Sequence, residues 1–126
     1  MEREYSASVV DGSREFTARE KIQLKDTNNM IGLDSATQEV GKVRITPVDY
    51  AVVEIHNEKS DNKDYKQYII IGDDLQKYYT GSESLFNAFF DIYTDMCCES
   101  EPWEIEVYRK PSKNRQGKDF LTCSLI

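Results

Sequence analysis

From Arg109 to Lys118 the chain places Arg109, Lys110, Lys113, Arg115 and Lys118, five cations with no acid among them, in a stretch that Tyr108 and Phe120 frame. The chain's formal net charge is -7, which leaves about -12 on everything outside this segment. Guanidinium and ammonium groups suit phosphate oxygens. Flat rings suit the faces of unpaired bases, where stacking is worth ~1–3 kcal/mol per base. Tyr65, Lys66 and Tyr68 repeat the combination beside Lys63, and Tyr78 and Tyr79 follow Lys77. Arg19, Lys21 and Lys25 add a cationic row if their segment is a strand. The same residues also fit a solvated hairpin loop with aromatics in the core, so composition alone leaves both readings open.

Other chemistries find less support. His56 is the only histidine, and it stands beside Asn57 and Glu58 with no nucleophile motif. A general base needs a partner to act on, so the ordinary reading is a strand-end histidine with routine hydrogen bonds. His56, Cys97, Cys98 and Cys123 carry the right atoms for zinc, but their spacing matches no Cys-x2-Cys pattern. Adjacent Cys97 and Cys98 at a helix end are expected to point in different directions. Gly72-Asp73-Asp74 offers carboxylates where a phosphate cradle needs backbone amides and a lysine. Asp73, Asp74, Asp91 and Asp95 could hold Mg2+, yet a solvated turn and helix face explains them more simply. The expectation is a protein that is not an enzyme, with no metal and no cofactor.

The elements that would position these groups follow from periodicity. Trp103, Ile105 and Val107 alternate with Glu104, Glu106 and Tyr108, the period-two pattern of a half-buried strand. Residues 119–125 form its partner, with the basic loop between. Asp11-Gly12 is a turn signal, and residues 1–14 read as an edge strand or a loose arm. Phe16, Ala18, Ile22 and Leu24 share parity, which suggests a strand over 15–25, although its Ala, Arg, Glu and Lys also suit a helix. Met30 to Leu33 reads as a short strand. Asp34 fits an N-cap for Ser35 to Val40, closed by Gly41. Residues 42–56 read as one long strand bent at Pro47, which cannot donate to a ladder. Tyr65 to Ile71 and Gln76 to Tyr79 form a hairpin. The clearest helix follows over about 83–97, capped by Thr80 with Glu83 or by Ser82. Its apolar face is Leu85, Phe86, Phe89, Ile92, Tyr93 and Met96.

Strands, one helix and two more strands, without βαβ alternation, argue against a doubly wound sheet. The expected class is α+β, mainly β: a small antiparallel barrel or curled sheet of five to six strands capped by one helix. An oligonucleotide/oligosaccharide-binding (OB) barrel is compatible with that order. At 126 residues the chain is expected to be a single domain with room for a real core. No apolar run approaches the ~20 residues that span a bilayer, and the first residues lack a signal-peptide core. Three cysteines, two of them adjacent, make a poor disulfide framework. A cytoplasmic location is expected.

The layout from Tyr68 to Met96 and from Trp103 to Ile126 resembles the small acidic single-stranded-DNA-binding proteins of tailed phages. The shared features are strand, turn, Tyr78-Tyr79, a Ser/Thr-capped helix, then a strand, a Ser-Lys-Asn-x-x-Gly loop and a last alternating strand. The resemblance implies an OB-like fold in a bacterial host cytoplasm, sheathing displaced strands during replication. It implies binding by stacking and backbone contact, with salt-sensitive association and neither catalysis nor cofactor. The partner would be single-stranded DNA, with RNA open and a homo-oligomer open. The alternative is a phage accessory module that binds a host or phage protein, such as an inhibitor whose Glu99, Glu101, Glu104 and Glu106 imitate phosphate.

Overall fold

A computed structural model describes residues 5–59, 63–111 and 119–126. In chain order the elements are β1 (Tyr5–Gly12), α1 (Ala18–Lys25), a 3-10 turn (Thr27–Asn29), β2 (Ile31–Gly32), α2 (Leu33–Val40), β3 (Lys42–Ile45), β4 (Pro47–Asn57), β5 (Asp64–Gly72), β6 (Lys77–Thr80), α3 (Glu83–Met96), β7 (Ile105–Pro111) and β8 (Asp119–Leu125). The class is α+β, mainly β. The strands form a five-stranded sheet, β1-β4-β5-β6-β2, and a three-stranded sheet, β3-β7-β8. Among the described residues the sheets do not close into a barrel. β2 runs parallel to β6, while the other pairings are antiparallel.

Among the described residues the count of five or six strands with one helix is corrected to eight strands and three α-helices, for identifiable local reasons. Residues 18–25 are helical rather than extended because Phe16-Thr17-x-x-Glu20 forms a capping box. The Thr17 hydroxyl accepts from Glu20 N–H (3.2 Å), and the Glu20 carboxylate accepts from Thr17 N–H (2.9 Å). Arg14 also grips Glu20 and reaches Asp49 on β4, which ties the helix to the sheet. That guanidinium holds the Glu20 carboxyl well below its usual range, at about 2. The row expected of Arg19, Lys21 and Lys25 needs an extended chain and does not form.

The single bent strand expected over 42–56 is two strands in different sheets. Pro47 opens β4, and Thr46 lies between the two; the Thr46 carbonyl accepts instead from Asp73 N–H, at 2.9 Å. α2 begins one residue before Asp34. Asp34 sits in its first turn and accepts from the Thr80 hydroxyl (3.2 Å) rather than capping. Gly41, at φ +82°, closes the helix as expected, in a conformation that favours glycine.

The five-stranded sheet is covered on both faces, which explains the unbroken apolar runs Ala51-Val52-Val53 and Ile69-Ile70-Ile71. On one face Phe16 and Leu24 pack on Ala51, Val53, Ile55, Ile69 and Ile71. On the other, Tyr50, Ile70 and Tyr78 meet Leu85 and Phe89 of α3 and the inward side chains of the three-stranded sheet, Ile105, Val107, Leu121 and Cys123. The N-terminus of α3 is fixed by the Ser82 hydroxyl accepting from Leu85 N–H (3.2 Å) and by Ser84 donating to the Leu121 carbonyl (3.0 Å). Among the described residues no helix is long and apolar enough to cross a membrane.

Candidate nucleic-acid interface

The three-stranded sheet has one face against α3 and one face outward. Strand parity assigns the side chains. Ile105 and Val107 point into the core, with Leu121 and Cys123 beside them. Glu106, Tyr108 and Lys110 therefore point outward from β7, and Phe120, Thr122 and Ser124 from β8. Register carries this onto β3: Lys42 lies opposite Tyr108, and Arg44 opposite Glu106.

The outward face holds the two rings that framed the basic segment. Tyr108 faces Thr122, and Phe120 faces Lys110, so the rings are diagonal neighbours, a spacing of about 7–8 Å. Phe120 is 38% exposed. Tyr108 is half-buried and exchanges a hydrogen bond with the Ser124 hydroxyl (2.7 Å). Lys110 is exposed. The outward cations Lys42, Arg44 and Lys110 stand against a single strand carboxylate, Glu106. It accepts from Lys42 (3.0 Å) and lies 4.0 Å from Arg44. Lys42, Glu106, Tyr108 and Ser124 line an open hollow of about 370 Å³ that continues to Leu125 and Ile126. An open sheet face with paired rings and surplus positive charge can seat bases on the rings and phosphates at the margins.

Not every expected residue joins this face. Lys113, Arg115 and Lys118 lie outside the described residues. Arg109 shares parity with Val107 and turns inward against α2. Its guanidinium donates to the Thr37 hydroxyl (3.1 Å) and the Asp34 carbonyl (2.9 Å) and pairs with Asp119 (3.1 Å). It is a structural clamp, with each of its three nitrogens engaged. Tyr68 is corrected as a stacking platform: it is only 9% exposed and stacks on Phe86 at 4.3 Å between centroids and 12° between planes. Burial pushes its phenol up from the ordinary value. Tyr65 is half-buried against the second core. Lys66 is exposed on β5, opposite Glu54. These three belong to the five-stranded sheet and do not extend the Tyr108–Phe120 face. Lys42 and Arg44 were not singled out from the sequence. Their only signal was the alternation Lys-Val-Arg-Ile, and it becomes informative once β3 is known to flank β7.

The remaining candidate groups are accounted for locally. His56 bridges Asp64 through Nδ1 and Glu58 through Nε2, both at 2.7 Å, and Lys63 pairs with Glu58 at 3.2 Å. The two carboxylates, Asp64 foremost, raise the imidazole above its ordinary value. Cys97 and Cys98 do not diverge as expected: their sulfurs lie 3.8 Å apart, both exposed. Cys123 is buried, and burial pushes its thiol up to about 12. Among the described residues no group of three or more His, Cys, Asp or Glu side chains converges as metal ligands would. No protein-family model matches the chain, and comparisons with curated proteins and with solved structures give no significant match either.

Proposed function

We propose that this protein binds single-stranded nucleic acid, DNA first, on the outer face of β3, β7 and β8, without catalysis or cofactor. The observation that carries the reading is the outward-facing Tyr108–Phe120 pair, with Tyr108 half-buried and Phe120 exposed, flanked by Lys42, Arg44 and Lys110. Rings take the bases, and cations track the backbone. The basic sequence 109–118 links β7 to β8 in the chain. The acidic remainder disfavours duplex DNA by long-range repulsion. The layout shared with phage strand-sheathing proteins supports a phage or mobile-element role in a bacterial cytoplasm.

Titration of fluorescent oligonucleotides, single-stranded DNA, single-stranded RNA and duplex, at low and high salt tests the proposal. Binding is expected for single strands over duplex and is expected to weaken as salt rises. No response from either single strand at micromolar protein removes it.

A second reading has its own observation. Asp73, Glu99 and Glu101 share a hollow of about 280 Å³ with Tyr93 and Trp103, a negative aromatic recess suited to a basic side chain of a protein partner. A partner captured from host lysate that survives nuclease treatment, and is lost in Glu101→Gln, would favour this interaction module over nucleic-acid binding.

A further inference from the structure

Cys97 and Cys98 are nucleophilic side chains that take no part in the core or in the outer face of β7 and β8. Cys97 caps the C-terminus of α3, and Cys98 follows it. The Cys97 N–H donates to the Tyr93 carbonyl (2.9 Å) and the Glu99 N–H to the Met96 carbonyl (3.1 Å), so the backbone is held on both sides of the pair. Successive side chains at a helix end ordinarily project about 100° apart. Here the two sulfurs lie 3.8 Å from each other, and both residues are exposed. The Cys97 thiol also lies 3.7 Å from the Thr94 carbonyl, a weak contact that a stronger partner would replace.

The separation is one that a single metal ion spans. Two metal–sulfur bonds of about 2.3 Å put their sulfurs about 3.8 Å apart at a tetrahedral angle and about 4.6 Å apart when collinear. An ion can therefore enter between these thiols with little movement of the chain. A direct sulfur–sulfur bond would instead require closure to about 2.05 Å. The surroundings favour a cation. Cys97 borders the hollow whose charged lining is Asp73, Glu99 and Glu101, with neither lysine nor arginine among its lining residues. The C-terminal end of a helix such as α3 adds partial negative charge. The number of donors selects the ion. Among the described residues no third His, Cys, Asp or Glu converges on the pair. Zn2+, which asks for three or four protein donors, is poorly served. Soft thiolates select Cu(I), an ion that two sulfurs satisfy.

We infer that Cys97 and Cys98 together bind one Cu(I) ion as a two-thiolate site at the end of α3. Each thiol releases its proton to solvent as its copper–sulfur bond forms, and copper stays in the +1 state throughout. The carboxylates of Asp73, Glu99 and Glu101 draw the cation in without ligating it. The site shares no residue with the Tyr108–Phe120 face, so the inference does not rest on nucleic-acid binding.

Anaerobic titration of the full chain with Cu(I), in competition with the chromogenic chelator bicinchoninate, tests the site. One equivalent of protein-bound Cu(I) is expected, with amide shifts centred on residues 93–103. Cys97→Ser and Cys98→Ser should each weaken Cu(I) by at least about 100-fold, because a single thiolate forfeits the chelate. Both side chains are exposed, so the urea midpoints of these variants should match wild type. The double variant retains the buried Cys123 and should not compete with the chelator. Zn2+ should bind at least about 100-fold more weakly than Cu(I). Glu101→Gln should stay within about threefold of wild type, since a solvated carboxylate acts only through a screened field. Failure of the wild type to compete, wild-type affinity in either serine variant or in the double variant, Zn2+ as tight as Cu(I), a loss in Glu101→Gln as large as in the serine variants, or shifts centred elsewhere would each overturn the inference.

Discussion

Two sets of rings in this protein differ in parity rather than in chemistry. Tyr50, Tyr68, Phe86, Phe89 and Tyr93 meet one another edge-on, tilted or stacked inside the core beside α3. Tyr108 and Phe120 stand on the opposite side of the three-stranded sheet, next to Lys42 and Lys110. A tyrosine beside a lysine is therefore not a binding signal in itself. Tyr68 follows Lys66 and Gln67 yet is spent on packing, while Tyr108 precedes two cations and remains outside. Which pleat a ring occupies decides whether it can meet a base.

The largest expected effects come from exchanging these roles. Phe89 is fully buried among the inner rings, and Phe89→Ala should cost about 3–5 kcal/mol of stability through lost burial and the cavity left behind. Urea unfolding measures it. Oligonucleotide affinity of the protein that remains folded should not change. Tyr68→Ala should behave the same way, losing stability and keeping affinity. An affinity loss without a stability loss in Tyr68→Ala would break the comparison outright.

On the outer face the pattern should invert. Tyr108→Ala and Phe120→Ala should each lower single-strand affinity by ~1–3 kcal/mol, the worth of one stacked base. They should leave the slope of log affinity against log salt unchanged. Their unfolding midpoints should move little, since exposed cross-strand contacts contribute only about 0.2–1 kcal/mol. Oligonucleotide titration over a salt series separates these outcomes. If both variants bind like wild type, the face is a solvated surface.

The cations sharpen the same contrast within one strand. Lys110→Ala should reduce the salt slope by about 0.7, one phosphate contact on a single strand, at little cost in stability. Arg109→Ala should instead destabilise, because the Thr37 hydroxyl, the Asp34 carbonyl and Asp119 all lose their shared donor. Adjacent residues of equal charge would then report on different properties. A pure salt-slope effect from Arg109→Ala would mean that the guanidinium is free to leave α2.

How far the sequence carried this distinction can be followed residue by residue. The alternation from Trp103 to Tyr108 defined β7 and its two faces, and continuing it by one residue places Arg109 inward. The apolar spacing of Leu85, Phe86, Phe89, Ile92 and Tyr93 defined α3 and its packing face. Parity failed over 15–25, where Phe16, Ala18, Ile22 and Leu24 mimic a strand. There the reciprocal hydrogen bonds of Thr17 and Glu20, reinforced by Arg14 from outside the helix, decide for α1. The split of 42–56 was also hidden. Pro47 signals a break in pairing, but not that the halves join different sheets. Lys42 and Arg44 were overlooked for that reason, since a cation on β3 matters only once β3 lies against β7.

The smallest effect concerns a surface cluster that is polar, exposed and yet self-satisfied. His56, at the end of β4, is held by Asp64 and Glu58, which raise its pKa above the ordinary 6.5. Folding therefore gains from the proton on His56. That gain is complete below pH 6.5, where the unfolded chain is also protonated, and is lost as pH rises through the higher folded-state value. Relative to His56→Gln, the wild type should be more stable at pH 6, with the difference fading toward alkaline pH. Urea midpoints over pH 5–9 measure this, and the imidazole proton shift reads the pKa directly. Oligonucleotide affinity should not follow the same titration, because the cluster lies on the five-stranded sheet and its charges already answer one another. If affinity did fall with the His56 proton, phosphate would be meeting this end of β4, and the outward rings of β7 and β8 would be the wrong face.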